Sequence, residues 1–386
     1  MLLKTADVVI IGSGAMGTCT AYHLAKKGIK NIIVLEKSCL LGGHSSCHCA
    51  GGIRHQFSSE INVKFTILNQ RLWNEFQLEN GYDFQQIATG YMFAMTKNDN
   101  PVPFWEAMKF QKELGVDVEW VSPDKMQEMI PKMNCTDLIG GTFCREDGLV
   151  DPGIVMNSYI TECQKLGVRF YPNTEVIDLL TQQGKVKGVV TGEGEISAGI
   201  IVNAAGPWAP EIFKMAKIQA PVYPIHEQLI VTEDLEWVHE KIPVVIFPSN
   251  GLGFHIEGKG LLFGLHKEKN FGRGYKRGID IQNEISACQM LGERIPETQQ
   301  VKLKSAWYGF YDTTPDNNPI MGKIEELDGL YGLTGFSGHG FMHSSAAGLL
   351  ISEEITEGKA STLRIEEFSL NRFHNHISGT AERYKI

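Results

Sequence analysis

Two glycine clusters carry the clearest chemistry in this 386-residue chain. The first is GSGAMG, where Gly12, Gly14 and Gly17 fill the pattern GxGxxG and Glu36 follows at the end of the next apolar run. Gly12 permits a tight turn, Gly14 lets a pyrophosphate approach the backbone, and Gly17 lets helix and strand pack closely. Glu36 is placed to accept hydrogen bonds from a ribose, and no arginine follows it to hold a 2′-phosphate. The second cluster is GFSGHG, with Gly335, Gly338 and Gly340 leading into an apolar helix. Low side-chain bulk beside a helix N-terminus, with its free N–H donors and partial positive charge, suits a flat ring that gains negative charge.

These residues need particular elements to position them. Ala6 to Ile11 reads as a strand buried on both faces, about Ala15 to Lys27 as a helix closed by Gly28, and Asn31 to Leu35 as a second strand. That βαβ unit with its terminal acid is the setting an adenine dinucleotide requires. At the other end, a strand from Leu330 to Thr334 enters the glycine loop. A helix then runs from Phe341 to about Glu357, stopped by Gly358. Between them, Glu175 to Leu180, Lys185 to Thr191 and Glu195 to Ser197 read as a β-meander, followed by GIIVNAA and GPWAP. Stretches such as Tyr91 to Met95 and Gly260 to His266 suit a mixed sheet walling a second pocket, with turns at Asn250-Gly251 and Gly258 to Gly260. The expected fold is α/β: a nucleotide-binding domain with a parallel sheet and meander (1–84, 147–218 and 310–386), interleaved with a mixed-sheet substrate domain (85–146 and 219–309).

Composition narrows the class. Hydrophobic residues at 42% and charged residues at 21% are ordinary for a globular protein, and a net charge of −9 disfavours nucleic acid as a partner. No run is long enough to span a bilayer, and a buried strand starting by residue 6 leaves no room for a signal peptide. Eight cysteines without a short, even framework point to reduced thiols and a cytoplasmic location. Cys47-His48-Cys49 has no second Cys/His pair at ligand spacing, so no metal is expected.

The chain resembles the D-amino acid oxidase superfamily of FAD-dependent amine oxidoreductases over essentially its whole length. The matching pieces are GSGAMG with Glu36, GGIRHQF (Gly51 to Phe57), DGLVDPG (Asp147 to Gly153), NAAGPWA (Asn203 to Ala209) and GFSGHGFMH. WYGFYDTTPDNNPIMG, from Trp307 to Gly322, looks most like the β subunits of heteromeric sarcosine oxidase and of dye-linked proline or hydroxyproline dehydrogenases. The resemblance implies FAD held by Gly12, Gly14, Ala15, Met16, Gly17, Glu36, Lys37, Ser45, Ser46, His48, Gly52, Val176, Ala204, Ala205, Gly206, Trp208, Gly338, His339, Gly340, Phe341 and Met342. It also implies oxidation of the C–N bond beside a carboxylate by hydride transfer to the flavin.

The same resemblance assigns three residues to the substrate. Arg54 matches the family's carboxylate-binding arginine, a role that suits a guanidinium. His266 matches a pocket histidine, and Tyr311 stands where glycine oxidase-like members carry an arginine. Met342 replaces a lysine found after HGF in sarcosine oxidase-like members, leaving Tyr311, Tyr308 or His343 to supply that contact. Leu262 occupies the place of a lysine implicated in activating oxygen, which favours a dehydrogenase with a non-oxygen acceptor. His48-Cys49-Ala50-Gly51 is similar to a segment whose histidine is covalently linked to flavin in dimethylglycine dehydrogenase-like relatives. Both a covalent link and a simple contact stay open at His48. The function implied is a dehydrogenase for a small secondary amino acid of the proline, hydroxyproline or sarcosine type. The alternatives are a glycine or D-amino acid oxidase, and a flavin-carrying electron-relay subunit with partner subunits.

Overall fold

The computed structural model describes residues 3–266, 274–374 and 381–384. Its first sheet has six strands in the order Ile320–Lys323, Leu330–Thr334, Ile200–Asn203, Val8–Ile11, Ile32–Leu35 and Arg169–Tyr171. All pairings are parallel except the first, which is an antiparallel hairpin. The central strands are continuous apolar runs because helices cover one face and the meander covers the other. The meander is a separate three-stranded sheet formed by Val176–Gln182, Lys185–Thr191 and Gly194–Ser197.

Helix Ala15–Lys26 follows the first strand and crosses helix Ser344–Glu357 at close range. Gly348 makes this possible, since a Cβ there would lie 2.6 Å from the Cys19 carbonyl carbon; Gly17 instead lets the helix pack on its own strand, where a Cβ would lie 2.0 Å from the Gly12 oxygen. Gly358 ends the second helix in the left-handed conformation expected of it (φ +80°).

The second sheet has eight strands: Leu303–Thr313, Tyr223–Thr232, Gly260–Leu265, Leu252–Glu257, Val244–Ile246, Tyr91–Thr96, Leu138–Cys144 and Val118–Val121. Its pairings are antiparallel except Val244–Ile246 with Tyr91–Thr96. Phe93, Phe254 and Phe263 belong to its own buried core. The boundary expected between 309 and 310 falls inside the long strand Leu303–Thr313, which carries its pairing with Tyr223–Thr232 on to Thr313. That strand delivers Tyr311 and Asp312 to the edge of the first sheet. No described helix is long and apolar enough to cross a membrane.

Candidate active site

The first strand turns into its helix at Gly12, whose φ of +104° and whose closeness to Ala204 (a Cβ would lie 2.4 Å from its oxygen) admit only glycine. Along this turn runs an elongated cavity of about 1250 Å³, counting its open mouth. Gly12, Gly14, Ala15, Met16, Glu36, Lys37, Ser45, Ser46, Val176, Ala204, Ala205, Gly206, Trp208, Gly338, Gly340 and Phe341 all line it. Gly17 lies behind the wall and serves helix packing.

At one end of the cavity, Glu36 Oε2 accepts from the Ser13 N–H (3.1 Å) and hydroxyl (2.8 Å), and Oε1 accepts from the Ser38 N–H (2.9 Å). Lys37 Nζ sits 3.5 Å above the Trp208 ring, which stacks parallel on Tyr275. A carboxylate beside a flat aromatic wall fits a ribose and adenine. At the other end, Gly338 packs so closely on Tyr311 that a Cβ would meet the ring at 2.7 Å. Asp312 pins this loop, accepting from the Gly335 N–H at 2.6 Å and the Thr334 hydroxyl at 3.1 Å.

The helix beyond the loop differs from expectation. Phe341–His343 forms a 3-10 turn, and the Ser345 and Ala346 N–H groups, at 2.8 and 3.2 Å, are taken by Asn69 Oδ1. The donors that an approaching ring meets are therefore in the turn at Gly340 to Met342, not in the helix proper. His339 lies behind this turn with its ring among Phe57, Phe336 and His343, where burial lowers its pKa to about 3. It lines neither cavity, so it supports the loop from behind. The glycine cradle, the acid at one end and the turn at the other fit an FAD laid across the sheet edge.

A second cavity of about 1040 Å³ adjoins the first; Ser45, Cys49, Phe310, Tyr311, Gly338 and Phe341 line both. His48, Gly52, His266 and Met342 line the second. His48 is stapled to the long strand: Nδ1 donates to the Tyr308 carbonyl at 3.0 Å, and its own carbonyl accepts from Trp307 Nε1 at 3.0 Å. His266 donates through Nδ1 to Glu227 Oε1 at 2.6 Å, a cross-strand pair in the cavity wall. Tyr91 and Tyr311 also line this cavity, and among the described residues neither hydroxyl makes a hydrogen bond. Burial, then the charge of Glu227, pushes the Tyr311 phenol far up, so it remains a donor. Leu262, Leu265, Val244, Ile246 and Phe254 supply an apolar part of the wall, and Gln228 and His255 line it as well.

Arg54 is not in the lining of either cavity. Its guanidinium is fully buried, donating to the Gln56 carbonyl and, at 2.9 Å, to the Tyr384 carbonyl, and it lies 3.9 Å above the Phe57 ring. The C-terminal residues explain this placement: Glu382 accepts from Ser58, Ser59 and Asn62 beside it, which brings a counter-charge to Arg54. As packed here the guanidinium is engaged by backbone carbonyls, with Tyr91 and Glu382 nearby, while the carboxylate grip stays what the resemblance implies for Arg54. His343 likewise points away, toward the Thr66 hydroxyl at 2.9 Å.

Asn69, Asp312, Glu227 and Tyr91 escape sequence reasoning as site residues. Asp312 had a local signal in the YDTTPD stretch, and Tyr91 opens the Tyr91 to Met95 stretch expected to wall the second pocket. Among the described residues, one group has metal-ligand types within reach, His55, Cys144 and Asp147, and Asp147 there already accepts from His55 Nδ1 at 2.6 Å. All eight cysteines are free thiols.

Comparison with known proteins places this geometry. Residues 7–354 match the DAO family model, FAD dependent oxidoreductase. Sarcosine oxidase subunit beta from Arthrobacter sp is 30% identical over 96% of this chain and 91% of its own length. Human mitochondrial sarcosine dehydrogenase is 27% identical over 98% of this chain, which spans only 42% of that protein. The crystal structure of L-proline dehydrogenase from P. horikoshii superposes with a TM-score of 0.90 at 31% identity, covering 97% of this chain and 99% of its own. Glycine oxidase from Geobacillus kaustophilus, at 22% identity and a TM-score of 0.84, shares the fold. With its glycine cradle, its acid at the second strand and this match over most of its length, the chain belongs to the DAO family of FAD-dependent oxidoreductases.

Proposed function

We propose that the protein oxidises the C–N bond of a small secondary amino acid of the proline, hydroxyproline or sarcosine type and passes the electrons to a non-oxygen acceptor. The observation that carries this reading is the shared wall at Tyr311, Gly338 and Phe341, where a ligand in the second cavity meets the ring end of the first. FAD bound in the first cavity supplies a two-electron acceptor for the hydride. The chain's own residues do the rest. Tyr311, held protonated, donates to the substrate carboxylate, with Tyr91 and the buried charge of Arg54 behind it. The apolar wall excludes water and orients the α-carbon toward the shared wall.

Leu262 in that wall supports the choice of acceptor, because no localised positive charge stands there to stabilise superoxide. The Tyr308 carbonyl takes His48 Nδ1 and leaves Nε2 free among the described residues, so acid precipitation decides attachment; we take the flavin to be non-covalent, and yellow colour left in the protein pellet would contradict this. The likeness to a β subunit supports partner subunits, and eight free thiols support a reducing, cytoplasmic setting.

An anaerobic panel of sarcosine, proline, hydroxyproline, glycine and D-alanine tests the reading. A secondary amino acid is expected to bleach the flavin fastest. Fastest bleaching by glycine or D-alanine with prompt recovery in air would establish an oxidase instead, and no bleaching by any amine would leave an electron-relay subunit.

A further inference from the structure

Glu227 is the one acidic side chain among the described residues that line the second cavity. It stands in the wall near Leu229 and Leu262, its side chain only 14% exposed. A carboxylate so placed is costly unless it is partnered. His266 satisfies Oε1 at 2.6 Å, and among the described residues no donor reaches Oε2. The residue opposite Glu227 on the long strand is Gly309, which puts no side chain of its own across from the carboxylate; a Cβ there would lie 3.6 Å from the His48 Cβ. Two residues along the same face stands Tyr311, the protonated donor at the shared wall. A donor and an acceptor thus face one open space, the complement of a zwitterion.

Resting on the proposed amine oxidation, we propose that Glu227 is the residue that binds and deprotonates the substrate amine. Its carboxylate accepts an N–H from the secondary ammonium and then takes that proton. The N–H bond breaks and an O–H bond forms on Glu227. The nitrogen lone pair so released becomes the C=N π bond as hydride leaves the α-carbon for the flavin, the oxidant of that reaction. His266 is a positioning residue: its Nδ1–H fixes the carboxylate and shares its charge.

The test is equilibrium binding to the anaerobic, flavin-loaded protein of two ligand pairs, sarcosine with methoxyacetate and proline with tetrahydro-2-furoate. Each pair keeps the carboxylate and replaces the amine nitrogen by an ether oxygen. Glu227→Gln, with unchanged flavin content as the check on folding, is expected to weaken the better-bound amine by about tenfold or more. The same variant should leave its ether partner within about twofold. Equal weakening of both would show a merely structural residue, and no weakening of the amine would show that Glu227 does not meet it; either overturns the assignment while the oxidation reading stands. A wild-type protein bleached by no amine removes that reading and this assignment together.

Discussion

Replacing Arg54 by methionine strips the counter-charge from Glu382 in the buried layer behind Tyr91. Breaking such a pair by removing one partner costs about 3 kcal/mol or more, so Arg54→Met should lower the denaturation midpoint clearly. A midpoint unchanged in urea, with only substrate affinity lost, would return Arg54 to direct carboxylate binding. Tyr311→Phe tests the opposite pattern. It removes a hydroxyl that makes no hydrogen bond among the described residues, so stability should hold while apparent substrate affinity falls about tenfold. Buried histidines set the acid limit. Burial lowers His23 to about 3 and His255 to about 4, well under the ordinary value near 6.5. Below about pH 6.5 the unfolded chain takes up protons that the native state refuses. Stability is therefore full above that value and falls as pH drops toward 4, by up to about 1.4 kcal/mol per pH unit for each group. A melting temperature flat from pH 7 to about 4 would contradict the neutral, buried state of both.

Among the elements, helix Ser344–Glu357 is the most revealing, because its start is capped from far away. Asn69 lies 276 residues before Ser345 in sequence. Asn69→Ala should cost about 1–2 kcal/mol and loosen the turn at Gly340 to Met342. Thermal melting and flavin retention would both register it, and a variant with unchanged values in both would show the cap to be dispensable. This cap marks the limit of what the sequence makes legible. The strand, glycine turn and helix at Val8–Lys26 are local and periodic, so their signals lie side by side, and the same holds for the meander and for Gly358. The cap at Asn69, the cover that Glu382 and Tyr384 place over Arg54, and the pair of Glu227 with His266 across 39 residues all depend on tertiary juxtaposition. No spacing along the chain announces them. Arg54 is a further case: its carboxylate role is implied by the resemblance alone, whereas its contacts with the Gln56 and Tyr384 carbonyls and the nearby Glu382 come from packing.

At the scale of the whole molecule, two sheets with separate cores each contribute one cavity, and the long strand Leu303–Thr313 ties them together by carrying Tyr311 and Asp312 to their common wall. That construction lets the six-stranded sheet hold a dinucleotide by backbone contacts while the eight-stranded sheet varies the chemistry above it. On the proposed reading, an amine held at Glu227 and Tyr311 reduces a flavin that oxygen reoxidises poorly. The most direct test of that reading is one spectroscopic experiment on the flavin-loaded protein. The yellow band is followed after anaerobic addition of sarcosine or proline, and then after admission of air or of an artificial dye. Rapid bleaching, slow recovery in air and fast recovery with the dye are expected. Bleaching followed by recovery in air within the turnover time would contradict it.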